Sequence, residues 1–320
     1  MTSQNRTLSL LTPSGRLTLG SYLGALEPMR RRQDDAFYGI SDLHAMTTEH
    51  DPRRLRELAD ETATLFLAVG LDRATLFRQS QVPAHAQLAY LLECLATTGE
   101  LNRMIQFKEK GRGVESTRVS LFTYPALMAA DILLYRPQQV PVGADQRQHV
   151  ELTRDLALRF NRRYGEVFTV PEVVTASDGT ARVMDLLHPT RKMSKSAEAA
   201  GSVYLLDPPD VVRRKVSQAV TDSETGRCAV RRAPDKPGVT NLLDVLEACG
   251  GSPEGIETYG ALKRAVTDAV VATLEPIQKR YADLAADPAH VTHVFATGAA
   301  RCREVTAPVL AAAEAAIGLA

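Results

Sequence analysis

The sequence predicts an α/β fold in which a Rossmann-like parallel-sheet domain is followed by an all-helical C-terminal domain. Up to about residue 190, short apolar runs of strand composition alternate with segments of helical periodicity, as in a parallel sheet with right-handed crossovers. Beyond that point only helical patterns remain. At 320 residues the chain is long enough for two domains, and we place them at residues 1–190 and 191–320.

Four strands are predicted in the first domain, because four short apolar runs end at turn residues. In an open parallel sheet, ligands bind at the carboxyl ends of the strands, so the residues that follow each strand are candidate site residues. The glycine-containing stretch 111–116 is predicted to be a mobile connection within this domain. The predicted strands are residues 7–11, 36–40, 75–78 and 139–142.

The second domain is predicted to be helical, because its apolar residues recur every three or four positions. Pro276 is expected to bend or end one of these helices. The last helix could pack back on the first domain. The predicted helices are residues 211–219, 242–249, 262–284 and 305–317.

Composition excludes several classes of protein. Lys and Arg together number 38, as do Asp and Glu, so the formal net charge is zero and any contact with RNA must use a local patch. The four cysteines are scattered and show no zinc-binding spacing, which indicates a reduced, cytoplasmic protein. No apolar run reaches the length of a membrane span, and the apolar N-terminal segment is too short for a signal peptide.

One short segment carries most of the predicted chemistry. Residues 192–196, with the sequence KMSKS, place two ammonium groups and two hydroxyls beside the small residues 197–201. Lysine side chains on flexible stems can follow negative charge as it moves onto a leaving polyphosphate, and the hydroxyl and N–H groups add short-range donors. For an isolated pentapeptide, a solvated basic turn is the usual explanation. The other motifs of the chain favour the polyphosphate loop.

A second candidate is the glycine-rich turn at residues 13–24, directly after the first predicted strand. Its glycines let a planar base or a phosphate approach the backbone, and the following helix offers N–H groups and the positive end of its dipole to an anion. A well-capped turn between a strand and a helix explains the same residues equally well. Taken alone, the turn leaves both interpretations open.

Together these motifs resemble the class I aminoacyl-tRNA synthetases. The sequence TLGS at 18–21 is similar to the first signature of that class, and KMSKS matches the second in every letter. Further segments resemble the bacterial type of tryptophanyl-tRNA synthetase, in the same order along nearly the whole chain. They are GELNRM at 99–104, QFKEK at 106–110, AADILLY at 129–135, VPVGADQ at 140–146, HVELTRD at 149–155, AVTDS at 219–223 and KPG at 236–238.

The resemblance implies a tryptophan pocket. Asp131 stands in an apolar run, so it either partners other polar groups as a structural residue or faces the ligand. In the family, the matching residue accepts the indole N–H of tryptophan. Tyr124 and Gln146 match residues that hold the substrate ammonium group. His44 has the family's position near the pocket, although a lone histidine is more often structural. The implied tryptophan-binding set is Leu8, Leu10, His44, Tyr124, Met128, Asp131, Val140, Val142 and Gln146.

The resemblance also implies a nucleotide site. Lys192, Lys195 and Lys110 match lysines that contact the departing pyrophosphate, although Lys110 could be a solvated lysine at a helix end. Gly143, Arg182 and Met193 match positions that frame the nucleotide, and each has a plain packing or turn explanation. The implied ATP-binding set is Thr12, Ser14, Thr18, Gly20, Ser21, Gly143, Asp145, Gln146, Arg182, Met193, Ser194 and Ser196.

The implied reaction has two steps. The carboxylate of L-tryptophan attacks the α-phosphorus of ATP to give tryptophanyl-adenylate and pyrophosphate, and the acyl group then passes to a terminal hydroxyl of tRNA(Trp). The nucleophile is already ionised, so activation needs positioning and cations rather than a general base. Mg2+ is expected to arrive with ATP, and no protein ligand set for a metal is predicted. The helical domain is expected to bind the anticodon end of the tRNA, and the resemblance implies a homodimer.

Two alternative functions remain open at this point. A tyrosine-activating sister enzyme shares the fold and both signatures, and a paralogue that no longer charges tRNA could bind tryptophan or RNA as a regulator. Both signature lysines are retained, which favours an active enzyme.

The chain also departs from the family pattern at the end of its first strand. Leu10 replaces a usual glycine, Thr12 replaces a usual glutamine, and Ser41 replaces an apolar residue. A short hydroxyl cannot reach as far as a glutamine amide, so a rigid tryptophan mimic that depends on this loop should bind poorly. The resulting hypothesis is a divergent second copy of the enzyme with reduced sensitivity to tryptophan-mimic inhibitors.

Overall fold

The computed structural model describes residues 6–110, 115–142, 146–175, 183–195, 200–226 and 229–319. Its strands are β1 Thr7–Leu11, β2 Ala36–Ile40, β3 Thr75–Arg78, β4 Gln139–Val142 and β5 Glu172–Thr175. Its helices are α1 Leu19–Ser21, α2 Glu27–Arg31, α3 Asp42–Ala45, α4 Pro52–Ala68, α5 Ala84–Glu93, α6 Thr98–Asn102, α7 Ile105–Lys110, α8 Val119–Tyr135, α9 Arg147–Tyr164, α10 Pro209–Ser217, α11 Pro237–Ala248, α12 Tyr259–Ala285 and α13 Pro288–Ile317. Strand β5 was not predicted, because its four residues combine an exposed glutamate with a short apolar run.

Strand β2 lies at the centre of a parallel sheet with the order β1-β2-β3. Leu8 pairs with Phe37, and Phe37 pairs with Thr75 on the other side. All five residues of β2 are buried, which is expected for a parallel strand covered by helices on both faces. Strands β4 and β5 form a second parallel pair. The parallel α/β class predicted from the sequence is therefore confirmed, and the four predicted strands occur at their predicted bounds.

The described part of the chain beyond β5 has helices and no further strand. Helix α12 continues through Pro276 to Ala285, so of the two predicted effects of this proline, an end of the helix is excluded and a bend stays a prediction. The loss of one N–H donor is tolerated here because residues on both sides of the proline, Leu274 and Ile277, are buried against the core. Helix α13 begins at Pro288, well before the predicted start at residue 305. The predicted mobile connection at 111–116 lies largely outside the described residues.

Two hydrophobic clusters form the core. The first combines β1 and α4 with α11, α12 and the first half of α13, and the second combines β1, β2 and β3 with α5, α8, α9 and the second half of α13. Helix α13 packs directly on β3. A Cβ atom added to Gly298 would stand only 1.7 Å from the carbonyl oxygen of Leu76, which shows how close the two backbones are. Among the described helices, none combines the length and apolar composition that crossing a bilayer requires.

Candidate functional site

The carboxyl ends of β1 and β2 meet at one edge of the sheet. Thr12 follows β1 and Ser41 follows β2, and their hydroxyl oxygens are 2.9 Å apart. The N–H of Ser41 also donates to the carbonyl of Leu11 at 3.0 Å. Two of the positions that depart from the family pattern therefore contact each other, and the Thr12 hydroxyl is engaged by a neighbour within the protein.

Asp131 lies on α8 at the same edge and is buried, with 3% of its surface exposed. Its Oδ2 accepts from Nε2 of His44 at 2.9 Å. Its Oδ1 accepts from Nε2 of Gln79 at 2.7 Å and from Nδ1 of His85 at 2.6 Å. Burial would raise the pKa of this carboxyl, but the hydrogen bonds from His44 and His85 outweigh burial and lower the pKa to about 2. Asp131 is therefore an ionised acceptor, and its Oδ2 has the capacity to accept one more hydrogen bond.

Tyr124 lies about two helical turns before Asp131 on α8, and its side chain joins α8 to α9. Its hydroxyl is hydrogen-bonded to Nε2 of His149, and burial raises the pKa of the phenol. Its ring stands edge-on to His44 at a centroid distance of 6.2 Å. Gln146 is the N-cap residue of α9, and its carbonyl accepts the N–H of His149 at 3.1 Å. His44, Tyr124 and Asp131 therefore lie side by side.

The apolar residues expected around tryptophan share one hydrophobic cluster. Leu8 and Val140 are buried in it, and Leu10 and Met128 pack against it. Leu8 and Leu10 lie on the same face of β1, because successive side chains of a strand alternate between faces. The side chain of Val142 lies outside the described part of the chain.

The first signature is a capped helix start. Thr18 and Ser21 form a reciprocal capping box in which the Ser21 N–H donates to the Thr18 hydroxyl at 3.2 Å and the Thr18 N–H donates to the Ser21 hydroxyl at 3.2 Å. Both side chains are buried. The capping interpretation of this turn thus accounts for the hydroxyls, and the backbone and Gly20 remain the parts that could face a ligand.

The two signatures are in contact. The N–H of Leu19 donates to Val203 at 2.8 Å, and the N–H of Leu205 donates to Leu17 at 2.9 Å, so the first signature pairs with the segment that follows the second. A Cβ added to Gly20 would lie 3.5 Å from the Cβ of Met193. A Cβ on Gly15 would lie only 2.0 Å from the carbonyl oxygen of Lys195. The glycine turn therefore contacts the backbone of the KMSKS segment at 192–196, which we call the lysine loop.

Lys192 and Lys195 are two neighbouring cations for which no acidic partner exists among the residues that the structure describes. Lys192 is exposed and Lys195 is partly buried. Burial, and secondarily the charge of Lys192, lower the pKa of Lys195 to about 8. An anionic ligand at this position would relieve both effects, so the lysine loop is electrostatically suited to a polyphosphate.

Several predicted residues receive only a partial location. Ser14 is exposed on the glycine turn, and the carbonyl of Ser194 accepts from the hydroxyl of Ser202 at 3.4 Å. The predicted residues outside the described ranges are Gly143, Asp145, Arg182 and Ser196, and the side chain of Lys110 is not described either.

Comparison with known proteins agrees with this geometry. The family described as tRNA synthetases class I (W and Y) matches residues 2–276. The chain belongs to this family. It is 51% identical to tryptophan--tRNA ligase 1 of Streptomyces avermitilis, over 98% of each chain.

Two solved structures extend the likeness of this class I synthetase to its fold. The tryptophanyl-tRNA synthetase of Mycoplasma pneumoniae is 37% identical with a TM-score of 0.87, over 99% of this chain and 98% of that one. The enzyme of Campylobacter jejuni, solved with ADP and tryptophan, is 30% identical with a TM-score of 0.82, over 98% and 100%.

The sequence analysis did not identify three polar residues of the candidate site. Gln79 and His85 both donate to Asp131, and His149 bonds to Tyr124. Gln79 directly follows β3, so the rule that sites form at the carboxyl ends of strands could have identified it. His85 and His149 lie within helices, and nothing in the local sequence distinguishes them from structural histidines.

Proposed function

We propose that the chain activates L-tryptophan with ATP to tryptophanyl-adenylate and transfers the tryptophanyl group to tRNA(Trp). The observation that carries this proposal is the pair Lys192 and Lys195, which has no acidic partner in the described residues and contacts the glycine turn at Gly15. The names of relatives near 50% identity support tryptophan rather than tyrosine as the amino acid.

Activation requires the tryptophan carboxylate and the α-phosphorus of ATP to be held in line. The carboxylate is the nucleophile, and the bond to pyrophosphate breaks as the bond to the carboxylate forms. Lys195 and Lys192 would balance the charge that develops on the leaving pyrophosphate, which is an interaction stronger in the transition state than in the ground state. Mg2+ would enter with ATP, and Lys110, the last residue of α7, would add a third cation.

The amino-acid pocket lies at the edge where β1, β2 and β3 end. The indole ring would enter the apolar surface formed by Leu8, Leu10, Met128 and Val140. Its N–H would donate to Asp131, and Tyr124 with Gln146 would hold the ammonium group. Thr12 and His44 would close the pocket on the side of the glycine turn.

The proposal also includes the partners of the enzyme. The helical region beyond residue 190 would bind the anticodon end of the tRNA, and two copies of the chain would form a homodimer in the cytoplasm. Because the net charge is zero, the tRNA contact requires a local basic surface.

Isotope exchange between pyrophosphate and ATP tests the proposed activity. Exchange that depends on tryptophan, followed by charging of tRNA(Trp), supports it. Exchange that depends on tyrosine would assign the chain to the sister enzyme, and tryptophan binding without exchange would assign it to the non-charging paralogues.

The departures at Leu10 and Thr12 lead to a prediction about inhibitors. Combined substitution Leu10→Gly and Thr12→Gln should increase the affinity for a rigid tryptophan mimic about tenfold, because a glutamine amide can reach a ligand that the short threonine hydroxyl cannot. Inhibition constants should be measured for the mimic on both proteins.

The matched control is Ser41→Ala, which releases the Thr12 hydroxyl from its partner without adding a longer side chain. This variant should leave inhibitor affinity almost unchanged. If the double variant binds the mimic no better than the original chain, Leu10 and Thr12 at the end of β1 do not limit inhibitor binding.

A further inference from the structure

A chain of hydrogen bonds leads from Asp131 into the interior, away from the proposed pocket. Nδ1 of His85 bonds to Oδ1 of Asp131 at 2.6 Å, and Nε2 of His85 lies 3.0 Å from the hydroxyl of Tyr135. Tyr135 in turn hydrogen-bonds with the thiol of Cys302 on α13. His85, Tyr135 and Cys302 are all completely buried. No ligand can reach these groups without rearranging the core.

The charge of Asp131 determines which atom donates in the first hydrogen bond of this series. An ionised carboxylate only accepts, so Nδ1 of His85 must donate to Asp131. In the neutral tautomer that carries its proton on Nδ1, Nε2 accepts the O–H of Tyr135. Gln79 adds a second donor to the same Oδ1 through its Nε2, while its Oε1 is buried with no hydrogen-bond partner in the described residues. Oδ1 is therefore occupied from the protein side by two fixed donors.

The other oxygen of Asp131, Oδ2, lies on the side of the partly exposed His44. Its partner His44 keeps 15% of its side chain exposed, whereas the side chain of His85 has no exposed surface. Oδ2 accepts only from His44 among the described residues, so it keeps the capacity for one more hydrogen bond beside a partly exposed side chain. An unoccupied acceptor direction at an otherwise saturated, buried carboxylate favours a ligand with an N–H donor.

We infer that His85 and Gln79 are positioning residues for amino-acid selection, which hold Oδ1 of Asp131 so that Oδ2 is presented to the indole N–H of the substrate. The inference rests on the proposed function and goes beyond it, because it assigns selectivity to two residues that never touch tryptophan. A carboxylate fixed in this way gains a hydrogen bond from a ligand with an N–H donor and gains none from a ligand without one. Phenylalanine, which is apolar at its ring edge, is therefore rejected, while tryptophan is accepted.

The chain itself provides a direct assay, because it contains no tryptophan residue. The fluorescence emission of bound tryptophan can be followed without background from protein indoles. His85→Leu removes the Nδ1 donor and should weaken tryptophan binding about tenfold, with phenylalanine and ATP affinities unchanged. His85→Asn, whose amide nitrogen can take the place of Nδ1, should restore most of the lost affinity. A purely structural role for His85 would lower all three affinities and the melting temperature together.

Two further variants make every outcome decisive. Gln79→Met keeps the length of the side chain and removes the second donor to Oδ1, so it should also reduce the ratio of tryptophan to phenylalanine affinity. An unchanged ratio overturns the inference, and this test remains valid if His85→Leu does not fold.

Asp131→Asn tests the pocket itself and should raise the tryptophan KM. If Asp131→Asn weakens tryptophan binding while the His85 and Gln79 variants do not, only the positioning role fails. If Asp131→Asn has no effect either, Asp131 is not in the tryptophan pocket, and the proposed site fails as well.

Discussion

Replacement of Lys195 by alanine is expected to slow adenylate formation by about 100- to 1000-fold, the usual effect of removing one donor aimed at developing charge. Lys195 is partly buried beside Lys192, and both burial and the neighbouring charge lower its pKa to about 8. Below that pH it carries its charge at an energetic cost that a polyphosphate relieves. The loss should therefore appear in the rate of the chemical step, measured by single-turnover formation of the adenylate.

Tryptophan affinity should be nearly unchanged in the same variant, because Asp131, His44 and Tyr124 lie on other elements. Lys279→Ala provides a matched control, since Lys279 is an exposed lysine on α12. It should keep the original rate. Equal losses of tryptophan binding and rate in Lys195→Ala would indicate that the lysine loop has a structural role.

Substitution of Gly15 by alanine should reduce the rate of adenylate formation by about 100-fold, the scale expected when reacting groups are displaced by about 1 Å. The added methyl group would stand 2.0 Å from the carbonyl oxygen of Lys195, and because this oxygen belongs to the backbone, no side-chain rotation can relieve the contact. The lysine loop would therefore have to move away from the glycine turn. Single-turnover kinetics and the KM for ATP would report this displacement.

Gly24→Ala is the control for this experiment, because a Cβ at Gly24 meets nothing within 4 Å. Neither glycine has a positive φ angle, so alanine is compatible with the backbone at both positions and the fold should persist. If the two variants have the same rate, the contact between Gly15 and Lys195 is not required for activation.

The sequence was sufficient for the sheet and for the two signature loops, because both depend on local patterns. Strands β1 to β4 are apolar runs bounded by turn residues, and the lysine loop is recognised from five consecutive residues. It was insufficient for the partners of Asp131. His85 and Gln79 are 46 and 52 residues away along the chain, so only the packing of α5 and of the segment after β3 against α8 brings them to the carboxylate.

The residues of the first signature show a second limit of prediction from sequence motifs. Thr18 and Ser21 match positions expected to bind the nucleotide, yet their hydroxyls and the two N–H groups satisfy each other in the capping box. A motif indicates which residue types occur in a site, but it does not show how each hydrogen-bonding group is used. That distribution follows from three-dimensional contacts, and it shifts attention from these hydroxyls to the glycines beside them.

Helix α13 has a consequence for how the protein is made. It is translated after all five described strands, yet it contributes Phe295 to one hydrophobic cluster and Val309 to the other, and Gly298 rests on the backbone of β3. Every strand of the sheet is translated before the helix that covers it. We therefore expect the nascent chain to expose apolar surface until α13 has been translated and to depend on chaperones during that interval. A premature stop codon before residue 288 would yield a chain with both signatures intact and with β3 lacking the helix that packs on its backbone.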